Sequence, residues 1–169
     1  MTGGIYMFKS LFKKSDKSIT LLAPLTGKVV PLEEVPDQVF SQKMMGDGVA
    51  IIPSNSTVYS PFDGEIVNVF QTKHAITLRS NEGVEILIHM GLDTVNLKGD
   101  GFDIKVSDGE KITKGSLLAN FDLTKVKEAG YEVITPIILL NGDTYEINQQ
   151  SLSNMVNGGN DILMEITKK

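Results

Sequence analysis

Cysteine is absent from this 169-residue chain. That absence removes a disulfide framework, a thiolate nucleophile and any zinc site built on cysteine, and it fits a reducing, cytoplasmic setting. Basic clusters are equally scarce: no run of Lys and Arg exceeds a pair, and the net charge is −5. Phosphate-backbone binding calls for a concentrated basic surface, so the chain argues against nucleic acid as its main partner. An acidic surface suits a basic protein partner instead. No stretch approaches the roughly 18–20 apolar residues that cross a bilayer, and the N-terminus lacks the continuous apolar segment of a signal peptide. Histidine occurs only twice, at His74 and His89.

The length suits one domain with a sizeable core. The expected division is a flexible N-terminal tail over 1–18 followed by a single domain over 19–169. In the tail, Phe8, Leu11 and Phe12 stand at helical spacing among Lys9, Lys13 and Lys14. Such a segment can make peripheral contact with a membrane surface, or it can simply fray as a terminus.

Turn formers recur at short intervals from Pro24 to Asn141-Gly142-Asp143, separated by runs rich in Val, Ile, Thr and Phe. That rhythm predicts an all-β chain folded as an antiparallel β-sandwich, of the barrel-sandwich kind. Helical pattern is sparse. It is best over Leu123–Ala129, with Asp122 as N-cap and Gly130 as the stop. Single helical turns are expected over Asp37–Gln42 and after Asp93-Thr94. An internal echo links Ala23-Pro24-Leu25-Thr26-Gly27-Lys28-Val29-Val30 to Ser60-Pro61-Phe62-Asp63-Gly64-Glu65-Ile66-Val67, and Gly46-Asp47-Gly48 to Gly99-Asp100-Gly101. It reads either as a duplicated β-motif or as a common way to start a strand.

The histidines sit on two short apolar runs, His74–Arg79 and Val84–His89, separated by the turn cluster Ser80-Asn81-Glu82-Gly83. These read as a hairpin. If Arg79 and Val84 flank a four-residue loop, counting back along both runs puts His74 directly opposite His89. Directly opposed residues share a face. In that register His74, Ile76, Leu78, Glu85, Leu87 and His89 form one face, a partly exposed apolar patch that Phe40, Met44, Met45, Phe70 and Met90 extend. The row of Val84, Ile86 and Ile88 is then the core side. Methionines suit a surface that receives more than one partner, because they repack at low cost.

Paired imidazoles serve metal binding, acid–base or nucleophilic chemistry, or structure alone. A catalytic zinc site normally takes three protein ligands plus water, and two histidines without cysteine leave the set incomplete. Nucleophilic phosphoryl transfer fits better. One ring nitrogen attacks, the other keeps its proton, and positioning supplies most of the rate. Gly91, two residues beyond His89, can accept from that ring's N–H. Thr72, two residues before His74, can orient the other ring from the same strand face.

The motifs Ala23-Pro24-Leu25-Thr26-Gly27, Val35-Pro36-Asp37-x-x-Phe40, Lys43-x-x-Gly46-Asp47-Gly48 and Ser60-Pro61-x-x-Gly64 belong to a larger pattern. It continues through Thr72-x-His74-Ala75, Gly83-x-Glu85-x-x-x-His89-x-Gly91-x-Asp93-Thr94-Val95 and Leu97-x-Gly99-x-Gly101-Phe102. Taken together, over about Leu21 to Lys168, the chain resembles the glucose-type enzyme IIA component of the bacterial sugar phosphotransferase system. The resemblance implies a compact β-sandwich and a phosphoryl relay. His89 matches the acceptor of a phosphoryl group from the histidine phosphocarrier protein HPr, and the group then passes to a cysteine of a IIB domain for sugar uptake. It also implies that His74 is the assisting imidazole, that Thr72 orients His74 and Gly91 orients His89, and that Asp37, Phe40, Met44, Phe70 and Asp93 contact partners. No cofactor is required, and zinc enters only as an ion shared with a partner at His74 and His89. A monomer is expected, because its partners are transient. The methionine content at Met44, Met45 and Met90 departs from the family pattern. Two other readings stay open: a regulatory module of the same family that controls permeases or kinases, and a zinc peptidase on a similar scaffold. The sugar itself is not legible, because specificity resides in IIB and IIC.

Overall fold

The computed structural model describes residues 18–169. The tail expected over 1–18 lies outside the described residues except for Ser18, which opens the first strand. Fourteen strands are described. In chain order they are β1 (Ser18–Leu22), β2 (Gly27–Pro31), β3 (Gly48–Pro53), β4 (Thr57–Tyr59), β5 (Gly64–Val69), β6 (Ala75–Ser80) and β7 (Glu85–His89). There follow β8 (Phe102–Ile104), β9 (Lys111–Ile112), β10 (Leu117–Phe121), β11 (Thr135–Leu139), β12 (Tyr145–Gln150), β13 (Met155–Val156) and β14 (Ile162–Lys168). All described pairings are antiparallel. An eight-stranded sheet runs β9-β5-β6-β7-β11-β3-β2-β13, and two three-stranded sheets run β4-β10-β8 and β12-β14-β1.

The expected helices form where capping chemistry allows. In α1 (Gln38–Ser41), the Asp37 carboxylate accepts the Val39 N–H at 2.9 Å. In α2 (Leu123–Glu128), Asp122 accepts from Lys125 at 3.0 Å and Gly130 follows at φ +92°. A 3-10 turn covers Thr94–Leu97.

The central strands of the large sheet are buried on both faces, which is why β3, β7 and β11 read as nearly continuous apolar runs rather than alternating ones. Val29, Val49, Ile51, Ile76, Ile86, Ile88 and Ile137 enter the main core. The residues between them in sequence, Val30, Ala50, Ala75, Leu87 and Ile138, face a second cluster with Leu32, Val35, Phe40, Leu92 and Ile134. The chain from Leu32 through α1 covers that second face and carries Phe40 onto it.

The first internal echo is structural. Leu22 donates to the Pro61 carbonyl at 3.0 Å and Tyr59 donates to the Pro24 carbonyl at 2.8 Å, a reciprocal pair between equivalent residues. The Ala23 and Ser60 carbonyls each accept from a glycine, Gly159 and Gly115, both at 2.8 Å. Gly27 and Gly64 open β2 and β5. A Cβ on either would lie 2.0 Å from a carbonyl oxygen of the neighbouring strand, so both positions need glycine. The Gly46/Gly99 echo is not part of this symmetry, since Gly48 heads a strand of the large sheet and Gly101 leads into β8 of a small one.

The hairpin forms one residue out of the expected register. Arg79 pairs with Glu85, and Ala75 pairs with His89. Ser80 is the reason. It joins β6 instead of the turn, donating its N–H to the Val84 carbonyl at 2.9 Å and accepting the Val84 N–H on its hydroxyl at 3.0 Å. The loop is therefore three residues, Asn81-Glu82-Gly83, with Gly83 at φ +105°. The far end of the chain pins its tip: Asn141 bonds Gly83 and Glu85, and the Tyr145 hydroxyl donates to the Glu82 carbonyl at 2.6 Å. A one-residue slip exchanges the faces. Ile76 and Leu78 lie in the core with Val84, Ile86 and Ile88, whereas Thr77, Arg79, Glu85 and Leu87 share the His89 face. Arg79 there bonds Glu65 and Glu85, each at 3.1 Å.

Candidate functional site

His89 ends β7 on the face of the second cluster, half-buried. In a regular ladder, residue 74 would point to the opposite face from Ala75 and so away from His89. The backbone breaks that alternation. Lys73 takes φ +63°, uncommon outside glycine. Its N–H closes a turn onto the Phe70 carbonyl at 2.7 Å, and Phe70 donates to the Ala75 carbonyl at 3.0 Å. The turn brings the His74 ring to His89, with centroids 4.9 Å apart and planes at 82°. The expectation of directly opposed partners is thus corrected while the meeting of the rings stands. Thr72 lies in this turn rather than on an extended strand face, yet its hydroxyl oxygen is 2.8 Å from His74 Nδ1.

The Gly91 carbonyl lies 2.7 Å from His89 Nδ1. A carbonyl only accepts, so Nδ1 carries the proton and Nε2 of the neutral ring holds the free lone pair. Two phenylalanines brace the pair. Phe40 lies 4.9 Å from His89 between centroids, tilted 57°, and Phe70 lies 5.5 Å from His74, nearly perpendicular.

Burial governs the electrostatics. It pushes the His74 pKa down to about 4, helped by the neighbouring His89. Burial also lowers His89, against the opposing pull of the Gly91 carbonyl, Asp37, its own backbone and Asp93. Both rings are therefore neutral near pH 7.

Several expectations about exposure are corrected. His74 is only 5% exposed, whereas His89 is half-buried and is the more exposed of the two rings. Phe40 is 4% exposed; the second cluster absorbs its ring, which acts as a wall behind His89 more than as free partner surface. Met90 is fully buried in the main core, because the alternation of the strand turns it to the side opposite its neighbour His89, in line with Val84, Ile86 and Ile88, and it adds nothing to the patch. Met44 and Met45 are exposed, Phe70 is half-buried, and Asp37 and Asp93 are near enough to influence His89. Sequence reasoning gave no role to Lys73, whose backbone turn no composition signal announces. It likewise passed over the exposed Val39 and Val95, whose nearness to Phe40 and Asp93 in the chain was the available clue.

Among the described residues no group of three or more His, Cys, Asp and Glu converges as a metal site, so the third ligand a zinc peptidase would need is not beside this pair. Among the same residues no helix is long and apolar enough to cross a membrane.

The sequence model of the phosphoenolpyruvate-dependent sugar phosphotransferase system, EIIA 1, matches residues 19–145. The chain is 50% identical over 164 residues to the PTS system glucose-specific EIIA component of Oceanobacillus iheyensis, covering 95% of this chain and 99% of that protein. It is 46% identical over 165 residues to the component of the same name from Bacillus cereus, covering 96% of this chain and 100% of the relative. The solved glucose permease IIA from Mycoplasma capricolum superposes with a TM-score of 0.82 at 36% identity, covering 88% of this chain and 96% of that one. With two neutral imidazoles in edge-to-face contact on this β-sandwich, the chain belongs to the EIIA family of the sugar phosphotransferase system and is a phosphoryl-carrying transferase that works through phosphohistidine.

Proposed function

We propose that His89 is the phosphoryl acceptor and that the 2.7 Å bond from its Nδ1–H to the Gly91 carbonyl prepares it. That one contact carries the reading, because it leaves the Nε2 lone pair free on the more exposed ring. Nε2 attacks the phosphorus of a phosphohistidine on HPr. An N–P bond forms, the donor's N–P bond breaks, and its electron pair returns to the donor ring. The proton on His89 Nδ1 stays in place. Positive charge develops on the His89 ring as the new bond forms, and the Gly91 carbonyl, Asp37 and Asp93 all favour it.

His74 is the assisting imidazole. With the Thr72 hydroxyl donating to Nδ1, its Nε2–H is free to donate to a phosphoryl oxygen. Neutrality at working pH suits this role, since the ring offers a hydrogen bond without holding the phosphoryl group as a tight ion pair. In the onward step a thiolate of a IIB domain attacks phosphorus, the His89 N–P bond breaks, and the electron pair returns to Nε2. The glucose specificity in the relatives' names supports glucose as the sugar this relay serves.

Met44, Phe70, Asp37 and Asp93 form the contact rim, with Phe40 mainly supporting it. An exposed methionine, together with acidic residues close enough to act on His89, fits a basic phosphocarrier. The working unit is a monomeric, cytoplasmic domain over 19–169. No resident cofactor is needed, zinc at His74 and His89 depends on a partner's additional ligands, and the N-terminal segment gives peripheral membrane contact.

The test uses phosphoenolpyruvate, the first enzyme of the system and HPr. The wild-type protein gains one acid-labile, base-stable phosphate. His89→Gln gains none. His74→Gln is phosphorylated but fails to pass the group to a IIB domain. Phosphate on the His89→Gln protein would overturn the assignment.

A further inference from the structure

Thr94 is one of few fully buried polar side chains among the described residues, and its hydroxyl bonds neither imidazole. Its hydroxyl donates to the Met90 carbonyl at 2.6 Å. The N–H of that same Met90 donates to the His74 carbonyl at 2.8 Å. The backbone of Met90, the residue between His89 and Gly91, is therefore tied on one side to His74 and on the other to Thr94. The Thr94 methyl also closes on Gly91, where an added Cβ would lie 2.7 Å from Cγ2 and 2.8 Å from the Glu132 carbonyl. The 3-10 turn that carries Thr94 begins after two constrained residues, Gly91 at φ +80° and Asp93 at φ +58°.

We infer that Thr94 is a positioning residue for phosphoryl transfer: its hydroxyl, through Met90, fixes the Gly91 carbonyl against His89 Nδ1 and so fixes the tautomer of the acceptor ring. Without the hydroxyl the Met90 carbonyl has to find a partner where no water reaches, and the Met90–Gly91 turn shifts to provide one. The Gly91 carbonyl moves with it, and the bond that keeps the proton on Nδ1 lengthens. A small displacement is enough, because positioning errors on the order of 1 Å can cost about a hundredfold in rate. The inference rests on His89 being the acceptor.

The experiment compares Thr94→Val, which keeps the shape and loses the hydroxyl, with Thr94→Ser, which keeps the hydroxyl. Ring nitrogen shifts of both histidines are followed by NMR across a pH titration, alongside the rate of phosphorylation by phospho-HPr. In Thr94→Val, the His89 ring is expected to lose its single tautomer and to titrate at lower pH, since a carbonyl that favours its charged form has moved away. Its phosphorylation slows by roughly tenfold or more. The His74 ring, held by Thr72, keeps its tautomer. Thr94→Ser restores the His89 tautomer and most of the rate. Should Thr94→Val fail to fold, Thr94→Cys, with its weak S–H donor, replaces it in the comparison with Thr94→Ser. Unchanged His89 nitrogen shifts in the hydroxyl-free variant, or failure of serine to restore them, would overturn the inference even while His89→Gln abolishes phosphorylation. Continued phosphorylation of His89→Gln overturns the acceptor assignment itself, and the ring shifts are read independently of it.

Discussion

His74 reaches His89 through a kinked backbone, with Lys73 at φ +63° swinging its ring across to a partner 4.9 Å away between centroids. The cross-strand partner of His89 is Ala75, whose small side chain leaves room for the incoming ring. The two imidazoles are thus held by different structures, one by the end of a central strand and the other by a turn. That separation suits a relay in which one ring takes the group and the other steadies it.

Acid should weaken the fold through these rings. The His74 pKa falls from 6.5 to about 4 on folding, and His89 shifts in the same direction. Between those values the unfolded chain binds more protons than the folded one, so stability rises with pH across that window and is fully present above it. Thermal unfolding scans from about pH 7 down to about pH 4.5 should show a falling midpoint. His74→Gln should flatten part of that slope, and an unchanged slope would mean that His74 is not held neutral.

Thr72→Val removes the hydroxyl beside His74 Nδ1 while preserving shape. The expected cost to stability is about 1 kcal/mol. Acceptance of phosphate at His89 should change little, whereas transfer onward to a IIB domain should slow by roughly ten- to a hundredfold. Rapid-quench assays of each half-reaction separate the two; equal slowing of both would count against a role confined to His74.

Phe40 and Met44 are four residues apart and should respond oppositely. Phe40, 4% exposed, fills the cluster behind His89, so Phe40→Ala should cost about 3–5 kcal/mol in denaturant unfolding. Met44, 69% exposed, should tolerate Met44→Asp within about 0.5 kcal/mol. The same change should raise the KM for phospho-HPr with little effect on the chemical step. An unaltered KM would remove Met44 from the docking rim.

The antiparallel sandwich, the capped turns at Asp37 and Asp122 and the pairing of the only two histidines were all written in local chemistry: turn formers, capping carboxylates and short β-branched runs. The echo was legible in the sequence, and the reciprocal bonds of Leu22 with Pro61 and Tyr59 with Pro24 give it a structural counterpart. Register was decided elsewhere. Ser80 is a turn former by composition, yet it extends β6 because Asn141 and Tyr145, remote in sequence, hold the loop beyond it. That single residue moved Ile76 and Leu78 into the main core and reassigned the His89 face to Ala75, Thr77 and Arg79. Local sequence fixes which segments extend and where they turn, since those are choices of individual dihedrals and caps. Which face a side chain takes, and how deeply His74 or Phe40 is buried, depends on contacts between distant strands, and these exist only after the sheets close on one another.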